Sequence, residues 1–94
     1  MTRPDAGVPS HRVLLVEDDP GDVFLVQELL AEVDPSVRVT VAHSVRAVVA
    51  DNLLATTDCV LLDLNLPGST GLGGLRELLM SDPSAAVCVL TGLD

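Results

Sequence analysis

The sequence contains no lysine, tryptophan or tyrosine, and Phe24 is its single aromatic residue. A core without aromatic rings must be built from Val, Leu and Ala, which favours closely packed helices and strands over an aromatic-rich β-sandwich. Arginine supplies all five basic residues, and fourteen acids outnumber them to give a net charge of −9. Because such a surface repels phosphates, we expect no direct nucleic-acid partner and no anionic membrane partner.

Long apolar runs are also absent, so no segment approaches the length of a membrane span, and residues 1–10 lack the apolar stretch of a signal peptide. We therefore expect a cytoplasmic protein. The two cysteines, Cys59 and Cys88, lie inside apolar runs without further ligands nearby in sequence, and we interpret them as core fillers. The histidines, His11 and His43, are isolated and show no metal-ligand spacing.

A length of 94 residues allows one small domain, which we assign to residues 11–94 after a flexible N-terminal arm over residues 1–10. Within it, apolar runs typical of strands alternate with helical periods. The predicted strands are Arg12–Val16, Val37–Ala42, Asp58–Asp63 and Ala85–Leu90, and the predicted helices cover residues 20–33, 45–55 and 71–81.

The ends and buried faces of these helices can also be predicted. Asp19 is expected to cap the first helix, with Pro20 in its first turn, and Ser44 to cap the second. Apolar residues at helical spacing define the expected buried stripes. For the first helix these are Val23, Val26, Leu30 and Val33, widened by Phe24, Leu25 and Leu29, and for the third Leu72, Leu75, Leu78 and Leu79.

The alternation of strands and helices predicts a parallel α/β sheet with right-handed crossovers. Only the strand at 37–42 alternates apolar and polar residues, as an edge strand does. The other three are apolar on both faces, as central strands are, yet a sheet needs two edges. We therefore expect a further helix and strand after Asp94. The alternative is a small four-stranded domain whose last strand is covered by a partner.

Acidic side chains follow two of the predicted strands. Glu17 and Asp18 come directly after the first strand, and Asp63 ends the third. If these strands are neighbours, the three carboxylates meet at the carboxyl edge of the sheet, where open α/β sheets bind ligands. Two carboxylates about 4 Å apart repel by ~4 kcal/mol at an effective dielectric of ~20, so three favour a cation. Mg²⁺ suits such ligands and an aspartate nucleophile; an acidic rim without an ion is the alternative.

Three segments resemble the receiver (phosphoacceptor) domain of two-component response regulators. In chain order they are V-L-L-V-E-D-D-P-G-D, D-C-V-L-L-D-L-N-L-P-G-S-T-G and V-C-V-L-T-G. The resemblance implies a flavodoxin-like parallel sheet of order 2-1-3-4. It also implies an incomplete receiver domain, because the family's fifth βα unit is missing. In the family, a lysine at the end of the fifth strand pairs with the phosphoryl group, and this sequence contains no lysine.

The resemblance assigns roles to five residues. Asp63 is implied to be the phosphoacceptor and Thr91 the hydroxyl that senses the phosphoryl group. Mg²⁺ is implied to be bound by Asp18, by Glu17 largely through water, by Asp63 and by the backbone carbonyl of Asn65. A histidine kinase is the implied phosphodonor, and the expected product is a phosphoprotein that switches conformation in two-component signalling.

Two other functions compete with this one. An aspartate-nucleophile phosphatase would need an acid two residues after Asp63, where this sequence has Asn65, so we expect no enzyme. A receiver remnant that takes no phosphate would instead act as an interaction or oligomerisation module. Self-association through the exposed edge of the fourth strand would then be expected.

Overall fold

The computed structural model describes residues 11–64 and 72–90 of the chain, so the predicted arm over residues 1–10 lies outside the described residues. Four parallel strands form one sheet in the order β2-β1-β3-β4, which confirms the predicted order. Their bounds are β1 (Arg12–Val16), β2 (Arg38–Ala42), β3 (Cys59–Asp63) and β4 (Val87–Leu90). The prediction that the strand near residues 37–42 is an edge strand is also confirmed.

Three α-helices and one short 3₁₀ helix connect the strands. They are α1 (Pro20–Val33), α2 (Val45–Ala50), the 3₁₀ helix Leu53–Thr56 and α3 (Gly73–Ser81). Both predicted caps are confirmed: the Asp19 carboxylate accepts a hydrogen bond from the N–H of Asp22, and the Ser44 hydroxyl accepts one from the N–H of Ala47. These bonds satisfy N–H groups that the first turn of a helix leaves free.

The main core lies on one face of the sheet. The right-handed crossover from β1 to its neighbour β2 places α1 on one face of the sheet. The chain then crosses the sheet in the opposite direction to β3 and β4, which places α2 and α3 on the other face. The α2–α3 side holds a cluster of nine buried side chains: Leu14, Val16, Ala42, Val45, Val48, Leu54, Val60, Leu62 and Leu78. Leu15 alternates to the opposite face, where it is fully buried, and Val26 of α1 is buried as well.

The second helix is shorter than predicted. It ends at Ala50 instead of near Ala55, because Asn52 adopts a left-handed backbone conformation with a φ of 52°. A left-handed residue reverses the direction of the chain and ends an α-helix, and asparagine tolerates that conformation better than most residues. The chain then continues as the 3₁₀ helix, from which Leu54 still reaches the core.

The predicted apolar stripes are only partly buried. On α3, Leu78 is fully buried and Leu75 packs against the core, but Leu72 is 64% exposed and Leu79 is 37% exposed. On α1 the broad stripe is wrong, because most of its apolar side chains are exposed: Phe24, Leu25, Leu29 and Val33. A helix on a four-stranded sheet contacts it along a narrow line, so an apolar pattern wider than that line remains at the surface.

The fourth strand forms the second edge of the sheet in the described part of the chain, although its sequence pattern is that of a central strand. Cys88 is consequently exposed, so its interpretation as a core filler is wrong, whereas Cys59 is half-buried. Both thiols are free. Within residues 11–64 and 72–90, every helix is too short or too polar to span a bilayer.

Candidate metal centre at the carboxyl edge of the sheet

Direct pairing of β1 with β3 brings the predicted acids together. The register places Val16 opposite Leu62, so the next residues, Glu17 directly after β1 and Asp63 at the end of β3, lie side by side. One carboxylate oxygen from each of Glu17, Asp18 and Asp63 lies within 4.8 Å of the other two. The three carboxylates therefore meet at the carboxyl edge of the sheet, as the sequence predicts.

The three acids differ in their exposure to solvent. Glu17 is 1% exposed and Asp63 is 5% exposed, which makes them the buried polar residues among those described. Asp18 is exposed. The cluster thus has a buried wall, formed by two carboxylates, and an open side at Asp18 through which a charged ligand can approach.

The two oxygens of the Glu17 carboxylate have different surroundings. Its Oε1 accepts hydrogen bonds from the N–H groups of Asp18, at 3.0 Å, and Asp19, at 3.1 Å. Its Oε2 is buried and receives no hydrogen bond from the residues that the structure describes. Burial raises the pKa of Glu17 to about 7, and the adjacent Asp63 carboxyl adds to this rise, while the two backbone N–H groups oppose it.

These features fit a hard divalent cation. A buried carboxylate oxygen that accepts no hydrogen bond from the described residues costs free energy that an ion would recover, and the burial that raises the pKa of Glu17 disfavours its charged form until a cation is present. Three carboxylates with an open side match Mg²⁺, which keeps several waters and accepts phosphate oxygens. Asp19 is excluded from this set because its carboxylate caps α1.

The strand β2 also contributes to this edge. The N–H of Glu17 donates to the carbonyl of Ala42 at 2.9 Å, and Nδ1 of His43 lies 3.2 Å from the carbonyl oxygen of Glu17. His43 was predicted to be an isolated residue, so its place at this edge was not expected. Its position offered a signal, because His43 follows β2 directly just as Glu17 follows β1, and Val16 pairs with Ala42.

Two predicted site residues, Asn65 and Thr91, lie outside the described residues. Their roles, and the individual roles of the three clustered acids, stay predictions.

Comparison with known proteins points to one family. The model of the response regulator receiver domain matches residues 13–94. Over 84 residues the chain is 37% identical to protein-glutamate methylesterase/protein-glutamine glutaminase 1 of Cereibacter sphaeroides, which covers 87% of this chain and 22% of that protein. The chain thus spans about a fifth of the length of this curated relative.

Solved structures agree with the family match. A structure of the phosphorylated cyanobacterial phytochrome response regulator RcpA superposes with a TM-score of 0.67 at 32% identity, over 86% of this chain and 64% of that one. A chain from the complex of the histidine kinase ThkA with the response regulator TrrA gives a TM-score of 0.73 at 27% identity, over 87% and 69%. The fold, the acid cluster and these matches lead to one conclusion: the chain belongs to the family of response regulator receiver domains.

Proposed function

We propose that Asp63 accepts a phosphoryl group from a histidine kinase in a Mg²⁺-dependent reaction, and that the chain acts as a cytoplasmic signalling switch, not as an enzyme. The observation that carries this proposal is the meeting of three carboxylates within 4.8 Å, one of which has a buried oxygen that accepts no hydrogen bond from the described residues. The phosphorylated state of RcpA and the kinase complex of TrrA, both structural neighbours, support it.

The clustered acids have two roles in this proposal, metal binding and nucleophilic attack. Glu17, Asp18 and Asp63, with the predicted carbonyl of Asn65, would hold Mg²⁺, which supplies positive charge to an incoming phosphoryl group. An oxygen of Asp63 attacks the phosphorus of a phosphohistidine. The new P–O bond forms as the P–N bond breaks, the bonding pair leaves with the imidazole nitrogen, and that nitrogen takes a proton from solvent.

The predicted sensing role of Thr91 has support from the register of the sheet. Asp63 pairs with Leu90 across β3 and β4, and Thr91 is the next residue in the sequence. Phosphorylation adds roughly −1.5 to −2 charge at neutral pH, together with three strong acceptor oxygens. A hydroxyl is a suitable donor to such a group, so Thr91 would couple the state of Asp63 to β4.

The test is incubation of the purified 94-residue chain with an acyl phosphate as phosphodonor and Mg²⁺, followed by intact-mass spectrometry. We expect one added phosphoryl group on the wild type, none on Asp63→Asn, and none when a chelator removes Mg²⁺. Asp51→Asn is the matched control, because it removes an equal charge from an exposed position on the C-terminal end of α2. Equal labelling of the wild type and Asp63→Asn would contradict the proposal.

A second candidate function has its own observation. Exposed apolar residues on α3 and at its N-cap line a groove of about 360 Å³; these include Leu72, Leu79 and Met80. The edge of β4 and these exposed apolar side chains are both surfaces that favour association with another chain. This supports a receiver that serves as an interaction or oligomerisation module. Light scattering across a range of concentrations tests it: association without measurable Mg²⁺ affinity would favour the module over the switch.

A further inference from the structure

Hydrogen bonds hold both sides of the peptide group that joins Glu17 to Asp18. The N–H of this peptide belongs to Asp18 and donates to Oε1 of Glu17 at 3.0 Å. Its carbonyl belongs to Glu17 and lies 3.2 Å from Nδ1 of His43. Because a carbonyl oxygen can only accept, the proton of this bond must be on Nδ1 of His43.

This peptide lies where the regular structure gives it little support. It follows the last residue of β1 and precedes Asp19, whose carbonyl accepts the first hydrogen bond of α1, from the N–H of Val23. The side chain of Asp18 is exposed, so packing does not fix its direction. The orientation of the peptide plane therefore decides where the carboxylate of Asp18 points, and it also sets whether Oε1 of Glu17 keeps its hydrogen bond from the N–H of Asp18.

We propose that His43 is a positioning residue of the acid cluster. By donating from Nδ1 to the Glu17 carbonyl, it fixes the peptide between the two acids that follow β1, and so aims both carboxylates at the space next to Asp63. The proposal rests on the proposed function in one respect, since it takes Mg²⁺ as the ligand for which the acids are positioned. His43 itself does not contact that ligand, and its effect passes through the backbone.

The size of the effect can be bounded. Residues that orient metal ligands typically change metal affinity by 10- to 100-fold when they are removed, and those are commonly buried and charge-assisted. His43 is exposed and makes one hydrogen bond to a neutral carbonyl. For such a bond we expect Mg²⁺ binding to weaken by about three- to tenfold.

The experiment compares three substitutions of His43 with a matched control. His43→Ala removes the donor, His43→Asn restores an N–H at nearly the position of Nδ1, and His43→Gln carries its N–H one carbon further out. His11→Ala removes the chain's other histidine, which is exposed and precedes β1 at the opposite edge of the sheet. Mg²⁺ affinity is measured by calorimetry at a temperature where every variant is folded.

We expect alanine and glutamine to weaken Mg²⁺ binding by about three- to tenfold, and asparagine and His11→Ala to stay within about twofold of the wild type. Equal losses for alanine and asparagine, or no loss for alanine, would overturn the assignment. A purely structural role for His43 would lower the unfolding temperature without the rescue of Mg²⁺ affinity by asparagine.

Amide hydrogen exchange separates a failure of this proposal from a failure of the proposed function. His43→Ala should accelerate exchange of the Asp18 N–H relative to the rest of the sheet, and His43→Asn should not. If the wild type binds no Mg²⁺, the proposed function fails, and the exchange rate of Asp18 still decides whether His43 holds this peptide. Unchanged exchange in His43→Ala would contradict the positioning role outright.

Discussion

Acidic side chains at the two edges of the sheet have opposite surroundings, and their pKa values shift in opposite directions. At the amino edge, Asp58 precedes β3 and is paired with Arg12 of β1, whose backbone N–H donates to it at 2.7 Å and whose guanidinium lies 3.3 Å away. These hydrogen bonds lower the pKa of Asp58. At the carboxyl edge, Glu17 follows β1 and Asp63 ends β3, and there burial and the neighbouring carboxyl raise the pKa of Glu17 to about 7.

Two turns at the amino edge also supply hydrogen-bond donors to a carboxylate. Asp34 and Asp82 each begin an Asp-Pro-Ser turn between a helix and a strand. In both turns the carboxylate accepts hydrogen bonds from the N–H, at 3.0 Å, and the hydroxyl, at 2.7 Å, of the serine two residues later. The side-chain and backbone donors of Ser36 and Ser84 lower the pKa of Asp34 and Asp82 respectively.

The comparison separates acids that support the fold from acids that serve the site. Where the chain supplies donors to a carboxylate, the ionised form is already stabilised and needs nothing further. Where carboxylates meet and a buried oxygen has no donor within residues 11–64 and 72–90, the ionised cluster is unfavourable until a cation arrives. Acids of equal intrinsic chemistry can therefore be sorted by their partners, and the following predictions test that division.

The largest expected effect is stabilisation by Mg²⁺. A ligand that binds only the folded state adds about 4 kcal/mol at a concentration ~1,000 times its Kd. We expect the unfolding free energy of the wild type to rise in this way with Mg²⁺, and Asp18→Asn to lose most of the rise. Chemical denaturation at several Mg²⁺ concentrations measures both. Asp58→Asn, at the amino edge, should keep the full response; an equal loss in both variants would show that the edges do not differ.

The second prediction concerns Glu17 without the ion. Its folded-state pKa is about 7, above the ordinary value of 4.5, so its contribution to stability is fully present below pH 4.5 and is lost as the pH rises through 7. Glu17→Gln carries no charge to bury. In Mg²⁺-free buffer this variant should match the wild type at low pH and exceed it above pH 7 by on the order of 3 kcal/mol.

Thermal unfolding of both proteins across this pH range, with a chelator present, checks the prediction. With Mg²⁺ added the order should reverse, because the ion stabilises only the wild-type cluster. A gap between the two proteins that stays constant with pH would show that Glu17 ionises normally in the fold, and the contrast between the two edges would then lose its main support.

How much of this could be predicted from the sequence depends on the range of the interactions. The strand order, the caps at Asp19 and Ser44 and the meeting of the three acids follow from local patterns and from the topology of parallel sheets. The end of α2 did not, because only the backbone shows that Asn52 is left-handed. The hydrogen bond from His43 to the Glu17 carbonyl was not predicted for a similar reason, since it depends on the register of β1 against β2.

The extent of side-chain burial on the helices was also predicted wrongly from the sequence. The apolar stripes of α1 and α3 predicted several buried side chains, yet Phe24 and Leu72 are each 64% exposed. Periodicity reports which residues share a helix face, but the width of the contact is set by the elements packed against it. The described sheet ends at β4, so the outer parts of both stripes have no described neighbour to cover them.

The third prediction expects a change in stability of the opposite sign to the second. Asp58→Asn makes the same chemical change at the amino edge, but here the carboxylate has its donors, so the substitution should destabilise the protein at neutral pH. The folded pKa is lowered below 3.8, so this contribution is present above pH 3.8 and is lost as the pH falls through the folded value. The deficit should be modest, because the pair is largely exposed, and should disappear in acid. Denaturant midpoints at neutral and acidic pH measure it; a stabilising effect would contradict the division of the acids.

The smallest effect is expected at the Asp-Pro-Ser turns. Ser84→Ala removes the hydroxyl donor to Asp82 and leaves the proline in place, so the pKa of Asp82 should rise towards 3.8 while the fold stays intact. An NMR titration of the carboxyl carbons measures this shift, with Ser81→Ala, which removes the exposed hydroxyl of the residue directly before Asp82, as the control. Because the lowered pKa contributes stability only above pH 3.8, any loss in the variant should vanish in acid. The pKa of Glu17 should not move, since Asp82 precedes β4 and Glu17 follows β1 at the opposite edge. A joint shift of Asp82 and Glu17 would mean that the two edges are electrostatically coupled, and the acids of the site would then depend on the turns as well as on their own surroundings.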